Sequence, residues 1–200
     1  MMQRSIKMIK TSLSLLLLLM ASQALAAQLP APLQAPAIPV DTRCSMSSNS
    51  READLGNLSR WQLQPAAEGG DKLSLGKRDF NVNVTCPFSQ SMQLVVNGDR
   101  NSAGGFRYGR NGELRIVLKE ATLDGQPVQV RLLPMAKVSA AGNLNLKPDL
   151  NLQVVAANGN VVKGKSLSLL LETEPVLREA DARVSRRQSD ESNFSLQLIN

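Results

Sequence analysis

The sequence contains no histidine, the residue that most often carries general acid–base catalysis. Catalytic sets of the Ser-His-Asp or Cys-His type are therefore excluded. Aromatic residues make up only 3% of the chain, too few for a platform that stacks bases or sugars. Some acidic residues lie in turn-like or charged stretches, where we expect solvated surface charge rather than a catalytic carboxylate pair. They are Asp71, Asp99, Asp124, Glu172 and Glu174. The sequence predicts neither an enzyme nor a cofactor.

Long apolar runs are also scarce, and the longest one stands at the N-terminus. Three basic residues, Arg4, Lys7 and Lys10, precede an apolar stretch over residues 13–20. A small-x-small pattern ending at Ala26 follows, so cleavage is expected between Ala26 and Ala27. The apolar stretch is too short to span a bilayer comfortably. Residues 1–26 therefore predict a secretory signal peptide, and no membrane insertion is expected after its removal.

The positive charge belongs largely to that signal. Removing 26 of the 200 residues leaves 174, enough for one domain with a substantial core. The signal carries three of the 23 basic residues and none of the 17 acidic ones, so the net charge falls from +6 to +3. This small excess gives little support to nucleic-acid binding.

Cysteine is nearly absent, with Cys44 and Cys86 as its only two positions. Thiols in an exported chain oxidise, so we predict a structural disulfide that stabilises the fold by about 3–4 kcal/mol. A metal site and a redox pair are the competing interpretations. Neither is supported, because the chain has no C-x-x-C motif and no histidine.

Residues 27–43 form a proline-rich N-terminal extension, with proline at positions 30, 32, 36 and 39. Proline excludes a helix or a central strand here. One interpretation is a disordered spacer. The other uses the apolar residues at every second position from 29 to 37, which would let one face of an extended segment dock on another subunit.

From Cys44 onward the apolar residues alternate with polar ones, as is typical of half-buried strands. Asn-Gly and Asp-Gly turn signals separate the runs, and such punctuation favours an all-β sandwich or barrel. Residues 176–186 are predicted to form a loop with at most one helical turn, and Trp61 is predicted to pack in the core. The predicted strands are 79–86, 92–97, 106–108, 113–119, 126–133, 150–155, 166–171 and 193–199.

The last predicted strand is unusual because chain ends are generally frayed and polar. Phe194, Leu196 and Leu198 alternate on one face of it. Such a strand must pair within its own sheet or with another chain.

Several motifs in this order resemble the subunits of chaperone–usher fimbriae of Gram-negative bacteria, the pilin-like family. After the signal come Cys44 and the DLG of residues 54–56, then FNVNVTC of residues 80–86, like the family's F-x-I-x-L-x-C element. The closing NFSLQL of residues 193–198 is similar to the family's N-F-x-L-x-Y. The resemblance covers residues 44–200. It departs at Ile199, where the family has a tyrosine, and in residues 180–192, which lack the usual glycine.

The resemblance implies an immunoglobulin-like sandwich over residues 44–200 that lacks its final strand and is completed by a donor strand. It implies that Cys44 and Cys86 join the first strand to the second, and that Phe194, Leu196 and Leu198 line the groove for the donor. The expected partners are a periplasmic chaperone, an outer-membrane usher and neighbouring fimbrial subunits. The expected role is a structural or minor subunit at the cell surface, and the alternative is a self-contained exported immunoglobulin-like binding or adhesin module. Because prolines cannot donate backbone hydrogen bonds, the extension favours a subunit that accepts a strand but hardly donates one.

Overall fold

A computed structural model describes residues 41–67, 69–134, 137–140, 142 and 144–199 of the chain. These residues contain fourteen β-strands, one 3-10 turn (Arg60–Gln62) and no α-helix. The strands are β1 Ser45–Ser48, β2 Gln64–Pro65, β3 Lys72–Ser74, β4 Arg78–Ser91, β5 Gln93–Gly98, β6 Phe106–Tyr108, β7 Gly112–Leu123, β8 Gln126–Pro127, β9 Gln129–Leu133, β10 Lys137–Ala140, β11 Leu144–Leu146, β12 Leu150–Val155, β13 Lys163–Arg178 and β14 Phe194–Ile199. The all-β prediction is confirmed.

The larger of two antiparallel sheets is centred on β13. Strands β4 and β3 follow one another along one side of β13, and β7 runs along the other side. β1 pairs with β4 and β2 with β3, whereas β6, β8 and β11 pair with the outer side of β7. On the far side of β4, the short strand β1 is therefore the last described strand of this sheet.

The smaller sheet has five antiparallel strands in the order β10-β9-β12-β5-β14. Residues of β14 pair with β5 along their whole length, from Phe194 opposite Gly98 to Ile199 opposite Gln93. Strand β14 is consequently an edge strand of this sheet within the described part of the chain.

Side chains from both sheets form one hydrophobic core. In β4, alternate residues starting at Phe80 are buried while their neighbours are exposed, and β7 shows the same period of two. Strand side chains point alternately to the two faces, so a period of two buries one face of each sheet. The alternation that predicted the strands thus also identifies which of their residues are buried in the core.

A disulfide joins Cys44 to Cys86, as predicted, and fixes the start of β1 beside β4. Cys86 is buried in the core face of β4, and Cys44 is partly buried against the same cluster.

Three sequence-based predictions differ from the structure. Trp61 is 87% exposed instead of buried, because it lies in the 3-10 turn outside both sheets. Strand β13 continues through Arg178, so the loop predicted over 176–186 begins three residues later. Glu174 is buried instead of solvated, because Arg115, its neighbour across the β13–β7 ladder, forms an ion pair with it at 3.1 Å.

Candidate strand-binding groove

The C-terminal strand β14 differs from its neighbour in how well its apolar face is buried. Phe194, Leu196 and Leu198 point towards the core but remain partly exposed, while the residues between them are exposed. In the neighbouring strand β5, by contrast, Leu94 and Val96 are at most 1% exposed. The inward face of β14 is thus only half covered.

The start of β14 is held by aromatic contacts. The ring of Phe194 packs edge-on against Phe80, with the ring centroids 6.0 Å apart, and against Phe106 at 6.4 Å. Opposite Phe194 in the ladder stands Gly98, where an added Cβ would lie 2.7 Å from the Phe106 ring. Glycine at this position lets Phe106 pass close to the backbone of β5, and Phe106 in turn supports Phe194.

A groove of about 1500 Å³ lies beside the first half of β14. Phe194 and Leu196 line it from the smaller sheet, and Phe80, Val82 and Leu114 line it from the larger one. Leu198 shares the face of Leu196 on β14 but is not among the groove-lining residues. The described ladders leave the outer edge of β14 without a paired strand.

Two irregular segments form the walls of the groove. Residues 49–63 connect β1 to β2 on one side, and residues 179–193 connect β13 to β14 on the other. The carboxylate of Glu179 accepts hydrogen bonds from Arg60 and, at 2.9 Å, from Arg183. Across the same gap the Arg187 guanidinium donates to Asn57 Oδ1 at 2.6 Å. The guanidinium groups of Arg183 and Arg60, with Arg183 the larger cause, hold the pKa of Glu179 below its usual range.

Tyr108 is the only tyrosine of the chain, and it lines the groove with only 8% of its surface exposed. Burial raises the pKa of its phenol, and the nearby charge of Asp190 raises that pKa further. The pKa of the Tyr108 phenol is therefore sensitive to how far this part of the groove is shielded from water.

The structure joins Cys44 to Cys86 and places Phe194 and Leu196, but not Leu198, in the lining of the groove. The predicted cleavage site at Ala26 and Ala27 and nearly all of the proline-rich extension lie outside the described residues. The groove floor at Phe80 and Val82 could be recognised from strand alternation. The wall contact between Arg60 and Glu179 could not, because 119 residues separate them and neither belongs to a periodic pattern.

Within the described part of the chain, no group of three or more His, Cys, Asp or Glu residues could hold a metal ion. No helix found there is both long and apolar enough to cross a membrane.

No protein-family model matches this chain, and no curated protein matches it either. The function must therefore be argued from the groove and the strand that borders it.

Proposed function

We propose that this protein is a structural or minor subunit of a surface fimbria and that it accepts a β-strand from another chain along β14. The half-covered apolar face on β14, beside an edge that no described strand pairs, carries this proposal. An added strand would donate and accept backbone hydrogen bonds along β14, and its alternate side chains would fill the groove over Phe80 and Val82. The role is one of assembly rather than of catalysis.

The finer fold that we propose is an immunoglobulin-like sandwich that lacks its final strand. The disulfide-linked strands β1 and β4 lie in one sheet, and β5 and β14 lie together in the other. The groove opens between the two edge strands β1 and β14, where one further strand would close the sheets. An apolar sheet edge left open in this way promotes aggregation, which explains the need for a protecting partner.

The proposed partners follow from that need. A periplasmic chaperone would supply a strand to β14 first, and a neighbouring fimbrial subunit would replace it at an outer-membrane usher. Export through the periplasm requires the predicted signal at residues 1–26. The prolines of residues 27–43 favour a subunit that accepts a strand but hardly donates one, so deletion of residues 29–40 should leave its incorporation at the wild-type level. Loss of assembly in that deletion would contradict this minor role.

The competing function is a self-contained exported binding module. It requires a stable soluble monomer, and the half-exposed Phe194 and Leu196 argue against such a monomer. Expression in the periplasm separates the two proposals. An incomplete domain should aggregate or be degraded alone and be rescued by its co-expressed chaperone, whereas a complete module should be soluble alone.

The groove itself is tested by placing a charge on either face of β14. Leu196→Asp would bury a carboxylate in the apolar groove, and we expect loss of the complex with the chaperone in co-purification. The matched control is Gln197→Asp, which adds the same charge to the exposed face of the same strand and should retain the complex. Normal complex formation by Leu196→Asp would refute a docking site on β14.

A further inference from the structure

The wall formed by residues 49–63, called here the gate segment, is poorly anchored along most of its length. Asn49 bonds to Asn81 at one end, where Asn49 N donates to Asn81 O at 3.1 Å and Asn81 N donates to Asn49 Oδ1 at 2.8 Å. At the other end Gln62 Oε1 accepts from the backbone of Ser59 and fixes the 3-10 turn. Between these ends, over residues 50–58, no backbone–backbone hydrogen bond to the described strands is present, and a single side chain of β1 reaches the segment, Ser48 Oγ donating to Ser50 O at 2.7 Å.

Burial of the gate segment is equally slight. Only Ser50, Leu55, Arg60 and Leu63 are even partly buried in it, and Leu58 is 39% exposed. Segments with few buried apolar contacts and few backbone bonds open at low free-energy cost compared with strands of the core. The two ends are thus the anchored points of a span that the sheets themselves hardly hold.

Side chains of the opposite wall supply the missing attachment. Arg60 on the gate segment reaches Glu179, which Arg183 also contacts, and Asn57 accepts from Arg187. The Arg60 and Glu179 side chains are 32% and 37% exposed, so their ion pair is partly shielded from water. These contacts join the two walls of the groove that an added strand must enter.

We infer that residues 49–63 are a gate over the strand-binding groove, held closed by the contacts of Arg60 and Asn57 with residues 179–193. The inference rests on the proposed function and adds its regulation: the rate at which a strand reaches β14 depends on how often these contacts break. Ion pairs that are partly exposed are screened by salt, so added salt should speed entry to the groove.

The experiment uses the dye 1-anilinonaphthalene-8-sulfonate, which binds exposed apolar surface, as the probe of the groove. Stopped-flow fluorescence would measure its association rate with the wild-type chain and with Glu179→Gln, each freshly separated from a co-expressed chaperone and kept dilute to limit aggregation. Breaking the pair should raise the rate about threefold to fivefold, as expected for the loss of one partly shielded ion pair. The matched control is Glu172→Gln, which removes an ion pair with Lys77 away from the groove and should leave the rate unchanged.

A charge exchange tests the pairing itself. Arg60→Glu alone should speed dye entry, and the double variant Arg60→Glu with Glu179→Arg should return the rate towards that of the wild type. Hydrogen exchange of residues 59–63, where the amides of Ser59, Gln62 and Leu63 donate hydrogen bonds, should be faster in Glu179→Gln. Followed by mass spectrometry, it reports opening without any ligand. Equal dye rates and equal exchange in the wild type and Glu179→Gln would overturn the gate but leave the groove intact. If Leu196→Asp binds the dye as the wild type does, the groove is refuted and the gate with it.

Discussion

Glu174 illustrates at the scale of one residue how a charged side chain becomes part of the interior. The side chains of Glu174 and Arg115 are 9% and 13% exposed, so neither charge has access to much water. Glu174→Gln would leave Arg115 without this compensating charge, and we expect a loss of about 3 kcal/mol in the free energy of unfolding. Urea denaturation followed by circular dichroism measures it.

Glu172, on the same strand, provides the comparison for that substitution. It pairs with Lys77 at 2.8 Å, but the lysine side chain is 50% exposed. Glu172→Gln should therefore cost less than about 1 kcal/mol. Equal losses for the two variants would show that burial does not distinguish these ion pairs.

The phenol of Tyr108 allows a second prediction, of pH dependence. Burial, together with Asp190, raises its pKa above that of the unfolded chain, so the native state holds this proton more tightly. Its contribution to stability is complete below about pH 10 and is lost as the pH rises through the native pKa. Since Tyr108 is the only tyrosine and the indole of Trp61 does not ionise, the rise in near-ultraviolet absorbance with pH follows this group alone.

Two measurements would support burial and Asp190 as the causes of the raised Tyr108 pKa. The absorbance midpoint should lie higher in the native protein than in urea. Asp190→Asn should lower the native midpoint but keep it above the unfolded one, because burial is the larger cause of the shift. Identical midpoints in the native and unfolded chains would contradict the burial of Tyr108.

At the scale of the elements, the alternation of apolar and polar residues predicted strands correctly. The run from Phe80 to Cys86 identified both β4 and its buried face, and the run from Phe194 identified β14. Each pattern is local, because one residue in two must face the core wherever a sheet covers it. Pairing partners are not local. Nothing between Phe194 and Ile199 specifies that β5 is the neighbour or that no described strand pairs with the other edge.

The irregular segments were predicted least well, for a related reason. Trp61 is large and apolar, so residue type alone favoured the core. Its position in a turn outside both sheets depends on the cap formed by Ser59 and Gln62 and on the reach of Arg60 to Glu179. Arg60 also stacks on the Trp61 ring, with its guanidinium carbon 5.5 Å from the ring centroid. Contacts between distant segments decided the exposure of this residue.

At the scale of the whole molecule, the disulfide is the one covalent link between distant segments that the described residues contain. It closes a loop of 42 residues that includes β1, the gate segment, β2 and β3. Closing such a loop removes conformational freedom from the unfolded chain, which should stabilise the fold by about 4 kcal/mol. The variant with both Cys44→Ser and Cys86→Ser should lose about this amount in urea denaturation.

The same variant also distinguishes an effect on the unfolded chain from damage to the groove. If the link acts mainly on the unfolded chain, the double variant should unfold at lower urea concentration yet still bind 1-anilinonaphthalene-8-sulfonate at β14 in the absence of urea. Replacing only Cys44 leaves Cys86 as a free thiol in the core and serves as the control for loss of the bond without loss of both sulfurs. Unchanged urea stability of the double variant would contradict the loop-closure argument. Lost dye binding with unchanged secondary structure would show instead that the bond is needed to keep β1, and with it one edge of the groove, in place beside β4.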